Sequence, residues 1–558
     1  MRKTILFAAL LLALVPALSA QTRPAAPAKP RQPRLVVGIV VDQMRYDYLY
    51  RYYDKYGTGG FKRLLGEGFS CENTHYNYMP TYTAPGHASI YTGTTPSVHG
   101  IVGNDWYDRA QAKNQYVTAD ERYKGVGTTT SKGNHSPSVL LSSTITDELR
   151  LSSSLRSKVV GVCIKDRGSI LPAGHIPNAC FWFDDDTGNW ISSSYYPFPD
   201  SVPALPGWVG RFNDKKLALR YLSQPWETVQ LERTYTESVP GFDRYEMRFP
   251  GDTTGAFPHA LPALQTKGGP GLVRSTPFGN SLTTDFALTV IDEMKLGVDE
   301  HPDFLALSYS STDYCGHQFG VRSTEVQDVY LRLDRDLERL LDYLDEKFGK
   351  DNVLVFLTAD HGAAETVPFL KDLRMPTGIL DENALVKALN THLDSVFGVR
   401  LPFVSAVVNQ QVYINEKVLP IGKLEPGPVQ KAIAEYLKKL PGVYGAFSKD
   451  ELFSLASEYP FISLVRNGFH PRRSGDVLYT LDPGWLPEPY FAKGGTTHGS
   501  PYAYDTHVPL VWYGWKVPQG ESFAPTSITD IAPTLAAFLR IMEPSGSTGK
   551  VIQSLFEK

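Results

Sequence analysis

Four near-continuous apolar runs of strand length punctuate the chain, and each is reached through a segment of helical period or an N-terminal lead. They are Arg34-Leu-Val-Val-Gly-Ile-Val-Val-Asp42, Lys158-Val-Val-Gly-Val-Cys-Ile-Lys165, Phe304-Leu-Ala-Leu-Ser-Tyr309 and Val353-Leu-Val-Phe-Leu357. Runs without polar alternation predict strands covered on both faces. Residues 144–155, 281–294 and 324–348 carry apolar positions at helical spacing. The last is the clearest, with Val326, Val329, Leu333, Leu337, Leu340, Leu341 and Leu344 among charges, the pattern of an amphipathic cover. The alternation predicts an α/β fold: a mostly parallel central sheet covered by helices on both faces. Residues 170–275 and 370–490 break the pattern and are expected as long insertions forming a cap or lobe; the second contains a helical stretch at 428–440. Core sequence resumes with a strand-like segment at 505–512 and a closing helix at 526–541.

In such sheets, sites form at the C-terminal ends of the strands, and the metal-capable side chains fall there. Asp42 ends the first run, Asp313 and His317 follow the third, and Asp360-His361-Gly362 follows the fourth. His498 sits in the Gly/Thr-rich segment Lys493-Gly-Gly-Thr-Thr-His498. Singly, each has an ordinary structural account, such as a helix cap or a turn. Together they suit two ions: Asp313, His317 and His498 for one, Asp42, Asp360 and His361 for the other. Carboxylate oxygens and imidazole nitrogens are zinc ligands, and two adjacent ions can clamp an in-line displacement.

Pro80-Thr-Tyr-Thr-Ala-Pro-Gly-His-Ala-Ser89 leads from a loop into a helix, with Thr83 expected at the N-cap and Pro85 in the first turn. A helix N-terminus favours an anion, and a metal-bound hydroxyl there is an activated nucleophile. Thr81 and Ser89 are competing hydroxyls. Lys165 and Arg167, at the exit of the second run, could reach a common tetrahedral anion, with Asn104 beside them.

The chain has 558 residues and a formal net charge of -4, so nucleic acid is not an expected partner. Residues 1–20 read as a signal peptide, with a charged start, an apolar stretch and a small-residue end. Residues 21–33 read as a flexible lead and 34–558 as the catalytic domain. The expected location is therefore periplasmic or secreted, with no membrane anchor after signal removal. The four cysteines, Cys71, Cys163, Cys180 and Cys315, suit an exported protein with up to two disulfides, Cys163 and Cys180 being the first choice for a pair.

The strand exits, with Asp42-Gln-Met-Arg45, Thr81-Tyr-Thr-Ala-Pro-Gly-His87, Gly103-Asn104, Lys165-Asp-Arg167, Ser311-Thr-Asp-Tyr-Cys-Gly-His317, Thr358-Ala-Asp-His-Gly362 and Gly494-Gly-Thr-Thr-His498, resemble the alkaline phosphatase superfamily. The resemblance is greatest to the phosphate-irrepressible alkaline phosphatases of flavobacteria. It implies two Zn2+ per chain in the two sets named above, Thr83 as a metal-bound nucleophile, and Asn104, Lys165 and Arg167 on the phosphoryl oxygens. The best-known bacterial enzymes use serine and a third, magnesium site; here the nucleophile is Thr83, and Lys165 stands in place of that third ion. A sulfatase is disfavoured, because Thr83-Ala-Pro-Gly-His87 lacks the convertible Cys/Ser and the Arg of the sulfatase motif. The expected activity is hydrolysis of small-molecule phosphate monoesters through a phosphothreonine, by a monomer. The alternatives are a nucleotide pyrophosphatase/phosphodiesterase and, more remotely, a non-catalytic metal-stabilised binding module.

Overall fold

The apolar runs become neighbouring parallel strands, and their register sets which side chains meet. In the computed structural model, residues 32–197, 204–456 and 460–557 are described. Strand β1 (Leu35–Val41) lies between β4 (Asp303–Tyr309) and β5 (Val353–Thr358), and β2 (Val159–Cys163) and β3 (Ala179–Asp184) continue beyond β4. The order β5-β1-β4-β2-β3 is parallel throughout. Val41 pairs with Tyr309 and Val40 with Thr358, so the chain leaves all three strands at one level. Asp42, Asp313 and Asp360 therefore start from adjacent exits. Leu510–Gly514 adds to β5 and Asn189–Ser193 to β3, both antiparallel, within a ten-stranded sheet.

Six helices matter most here: α1 (Thr83–Thr92), α2 (Ile145–Ser152), α3 (Asp166–Ala173), α4 (Phe278–Glu293), α5 (Ser311–Phe319) and α6 (Thr324–Phe348). Helix α6 spans the segment its periodicity predicts, with the Ser323 side chain accepting from Val326 N as its cap. Its apolar stripe is buried in the main core with the parallel strands. Helix α2 starts where expected, at the Thr144/Asp147 capping box, but ends at Ser152, short of residue 155, because Ser154 and Leu155 take left-handed φ values of 54° and 67°. The same Asp147 carboxylate accepts from the backbone N–H groups of His175 and Ile176. It thereby ties down the far end of α3, whose opening residues are Lys165 and Arg167.

Three segments depart from expectation. The 505–512 stretch is half helix, Ala503–Thr506, and only Leu510–Gly514 is a strand. The closing helix covers Ile531–Leu539 alone, because Thr526–Ser527 pairs with Thr74–His75 instead. None of the four cysteines is bridged; all are buried and free. Register explains the first-choice pair: Cys180 lies opposite Gly161 and Phe181 opposite Val162, so Cys163 on β2 is two positions out of step with it.

Residues 179–193 extend the main sheet, and buried residues further on, such as Trp226, Phe249 and Leu261, join the main core. The 370–490 region builds a separate four-stranded sheet with Glu382–Phe397 and Pro426–Leu437 packed around their own apolar cluster. The signal-peptide reading of residues 1–20 lies outside the described residues.

Candidate metal-dependent active site

Asp313 and His317 stand one helical turn apart on α5, so they share a face. His317 Nε2 is 3.1 Å and His498 Nε2 3.7 Å from Asp313 Oδ1. At the β5 exit, His361 Nε2 lies 3.6 Å from Asp42 Oδ1 and 3.7 Å from Asp360 Oδ2. Within each set, Asp313/His317/His498 and Asp42/Asp360/His361, ligand atoms lie within 4.8 Å of one another. The His361 and His498 rings stack at 3.5 Å, so the sets adjoin.

Each imidazole is aimed by its other nitrogen. The Nδ1–H groups of His317, His498 and His361 meet the carbonyls of Thr496, Thr81 and Gly362 at 2.7, 2.7 and 2.9 Å. That leaves every Nε2 facing inward, the orientation that carbonyl acceptors impose on metal-binding histidines. Burial lowers the pKa of His361 and His498, which keeps their Nε2 lone pairs free. For His317, burial is outweighed by Asp313, and the pKa is raised.

The carboxylates show an unmet demand for positive charge. Asp42, Asp313 and Asp360 are buried together, and among the described residues the one cation between them is Lys165, whose Nζ is 2.7 Å from Asp42 Oδ2 and 2.6 Å from Asp313 Oδ2. Among the described residues, neither Asp42 oxygen nor Asp360 Oδ2 has a well-aligned hydrogen bond, the Lys165 contact included. Burial, then the charges of Asp313 and Asp360, push the Asp42 pKa up. Three buried carboxylates against one ammonium are costly without further cations. The residues fit divalent metal ions. Asp184, Asp185 and Asp186 form a third acidic group, but the Lys132 ammonium already occupies it, 2.6 Å from Asp186.

Thr83 is the first residue of α1, not its cap; Tyr82 holds the cap position without a side-chain bond. The Thr83 hydroxyl is thus not spent on the helix, and lies 3.5 Å from His361 Nε2. Gly86 lets the helix start press against the β5 exit, where a Cβ would stand 2.4 Å from the Asp360 carbonyl. The competing hydroxyls are occupied: Thr81 donates to Ser500 O and Ser89 bonds His99.

Asn104 Oδ1 accepts from Ala84 N at 2.9 Å, leaving its NH2 group uncommitted among the described residues. Lys165 caps α3 and Arg167 lies in its first turn. Arg167 Nη1 donates to the Tyr116 hydroxyl at 3.0 Å, and that hydroxyl donates to Asp166 at 2.9 Å. Arg167 Nε is buried without a partner. All ten residues singled out from the sequence, Asp42, Thr83, Asn104, Lys165, Arg167, Asp313, His317, Asp360, His361 and His498, gather at these strand and helix ends.

Three positioning residues were not assigned roles from sequence. Gln43 joins the two metal sets: its backbone N–H donates to Asp360 Oδ1 and its amide to Asp313 Oδ1 at 2.7 Å, from a left-handed φ of 64°. His87 bonds the Thr83 carbonyl and Ser308 and lies 3.3 Å from Asp360 Oδ2. Tyr116 braces Arg167. Gln43 and His87 stand inside the quoted motifs; for Tyr116 no local signal exists.

Residues 36–501 match the type I phosphodiesterase / nucleotide pyrophosphatase family. The chain is 48% identical over 522 residues to alkaline phosphatase PafA of Elizabethkingia meningoseptica, covering 93% of this chain and 94% of that protein. The crystal structure of wild-type PafA superposes with a TM-score of 0.90 at 47% identity, covering 95% of this chain and 100% of that one. PafA has also been solved with serine replacing a threonine and alanine replacing an asparagine, a lysine and an arginine. A Myroides odoratus protein named calcium-transporting ATPase is 46% identical over 95% of this chain and 96% of its own length. Alkaline phosphatase PhoV of Synechococcus elongatus is 44% identical over 94% and 93%. The chain belongs to the type I phosphodiesterase / nucleotide pyrophosphatase family of the alkaline phosphatase superfamily.

Proposed function

We propose that this enzyme is a two-zinc alkaline phosphatase that hydrolyses small-molecule phosphate monoesters through a phosphothreonine at Thr83. The observation that carries the reading is the set of unspent donors around Thr83. Arg167 Nε is buried and unpartnered, the Asn104 amide nitrogen is free, and Lys165 has one N–H beyond its two carboxylates. A monoester dianion offers three non-bridging oxygens and two charges to such a set. The threonine, asparagine, lysine and arginine substituted in PafA are the same four residue types.

In the first step Thr83 Oγ1 bonds to phosphorus as the bond to the alcohol oxygen breaks, and the alcohol leaves. In the second, a water oxygen bonds to phosphorus, the Thr83 ester bond breaks, and phosphate departs with the threonine hydroxyl restored. Asn104, Lys165 and Arg167 hold the phosphoryl oxygens through both steps, and Gln43 and His87 keep the carboxylates in place. The Asp/His sets, without thiolate, suit zinc; when bound, zinc lowers hydroxyl and water pKa values and offsets charge on the leaving oxygen. No described helix is long and apolar enough to cross a membrane, and the charged, apolar and small-residue succession of residues 1–20 supports action outside the cytoplasmic membrane.

The family's name also covers phosphodiesterases. A diester presents one charge and two non-bridging oxygens, so Lys165 and Arg167 together exceed its needs. The deciding measurement is kcat/KM for an aryl phosphate against its methyl diester. We expect the monoester to be preferred by roughly 10²-fold or more, the worth of one well-placed donor; preference for the diester would overturn the reading.

Metal dependence is checked separately. Exhaustive chelation should abolish turnover, and titration with zinc should restore it with an end point of two ions per chain. An end point of one would contradict the two-set arrangement.

A further inference from the structure

The hairpin formed by Asp105–Asp108 and Lys113–Tyr116 begins one residue after Asn104, and a cavity of about 470 Å³ lies against it. The proposed reaction makes no use of this space. Its wall contains four arginines, Arg109, Arg122, Arg472 and Arg473, but only two carboxylates, Asp108 and Asp120. Both carboxylates are committed. Asp108 Oδ1 accepts from the backbone of Ala110 and Gln111. Asp120 takes the Arg122 fork and the Ser136 hydroxyl.

The remaining arginines are poorly matched. Arg109 pairs with Asp476 at 2.9 Å, yet its Nε is buried and unpartnered. Among the described residues, Arg472 and Arg473 form no ion pair. The Arg473 guanidinium donates to the Gly100 carbonyl and lies 5.0 Å over the Trp106 ring. Burial, only partly offset by Asp108, lowers its pKa to about 10. An arginine kept for solubility would reach water; this one is largely withdrawn from it and faces a polar cavity, an arrangement that costs free energy until an anion arrives.

We propose that this cavity is a second oxyanion site, binding a phosphate-type tetrahedral dianion through Arg472 and Arg473, apart from Thr83. A planar guanidinium fork is suited to such an anion. The ligand is either free inorganic phosphate or the phosphoryl group of a larger molecule. Gly100 and Trp106 flank Asn104, so an anion on Arg473 is held by the segment that presents Asn104 to the catalytic site.

The test is calorimetric titration of the metal-loaded full chain with inorganic phosphate and, separately, with phenylphosphonate, which cannot be hydrolysed. We expect two equivalents of anion per parent chain. Arg472→Ala/Arg473→Met should weaken one of them at least about tenfold, the loss of a charge-assisted hydrogen bond. The other should be unchanged, as should kcat/KM at low phosphate. Methionine keeps an apolar stem on Trp106, and the exposed Arg472→Ala change alone, which leaves the core untouched, should already weaken that equivalent. A second equivalent for phosphate identifies the free anion; one for phenylphosphonate alone identifies a larger molecule. A single equivalent with both probes, or two that survive the double substitution, overturns the proposal.

Discussion

Thr83→Ala protein should bind metal as the parent does and retain its fold while hydrolysing aryl phosphate roughly 10⁵-fold more slowly than the parent, the scale on which loss of a nucleophile is felt. The hydroxyl makes no capping bond in α1 and, among the described residues, its hydrogen-bond-range neighbour is His361 Nε2, at 3.5 Å. Alanine is also a better helix former than threonine, so stability should be nearly unaffected and the loss read in kcat. Thr83→Ser restores the hydroxyl and should recover most of the rate. Acid quenching of turnover with labelled substrate should leave phosphate on residue 83 of the parent and none on the alanine variant. Label on Thr81 or Ser89 would remove Thr83 from the mechanism.

The candidate ligands were legible in the sequence because strands buried on both faces announce themselves as unbroken apolar runs, and parallel strands place their exits together. Asp42, Asp313 and Asp360-His361 could be read from position alone. The cysteines could not be paired, since bridging depends on register, and Cys163 and Cys180 lie on adjacent strands two positions out of step. Gln43 reaches carboxylates 317 and 270 residues away, and Tyr116 reaches an arginine 51 residues on. Such contacts have no local period or spacing to betray them. Thr83 was misplaced by one position, the usual uncertainty of a helix boundary. That single step carries chemical weight, because a cap threonine would have spent its hydroxyl on the helix.

On the proposed reading, Lys165 and Arg167 decide the choice of substrate, and their separate substitution should expose different duties. Arg167→Ala removes a group whose Nε is buried without a partner and whose Nη1 is held by Tyr116. We expect monoester kcat/KM to fall roughly 10²- to 10³-fold, with diester hydrolysis reduced much less and zinc content unchanged. Tyr116→Phe should reproduce a fraction of that selective loss, because Arg167 keeps its charge but loses its brace. Lys165→Ala goes further. Its ammonium lies between Asp42 and Asp313, so its removal strips the cation those buried carboxylates share as well as the proposed phosphoryl contact. Monoester activity should fall by at least as much, and the metal affinity should change too. The double variant should lose less than the product of the single effects if both groups serve one phosphoryl unit, as proposed. Equal losses on monoester and diester for Arg167→Ala would contradict charge matching as the source of specificity. A Lys165→Ala enzyme with unaltered metal binding would confine that lysine to the substrate.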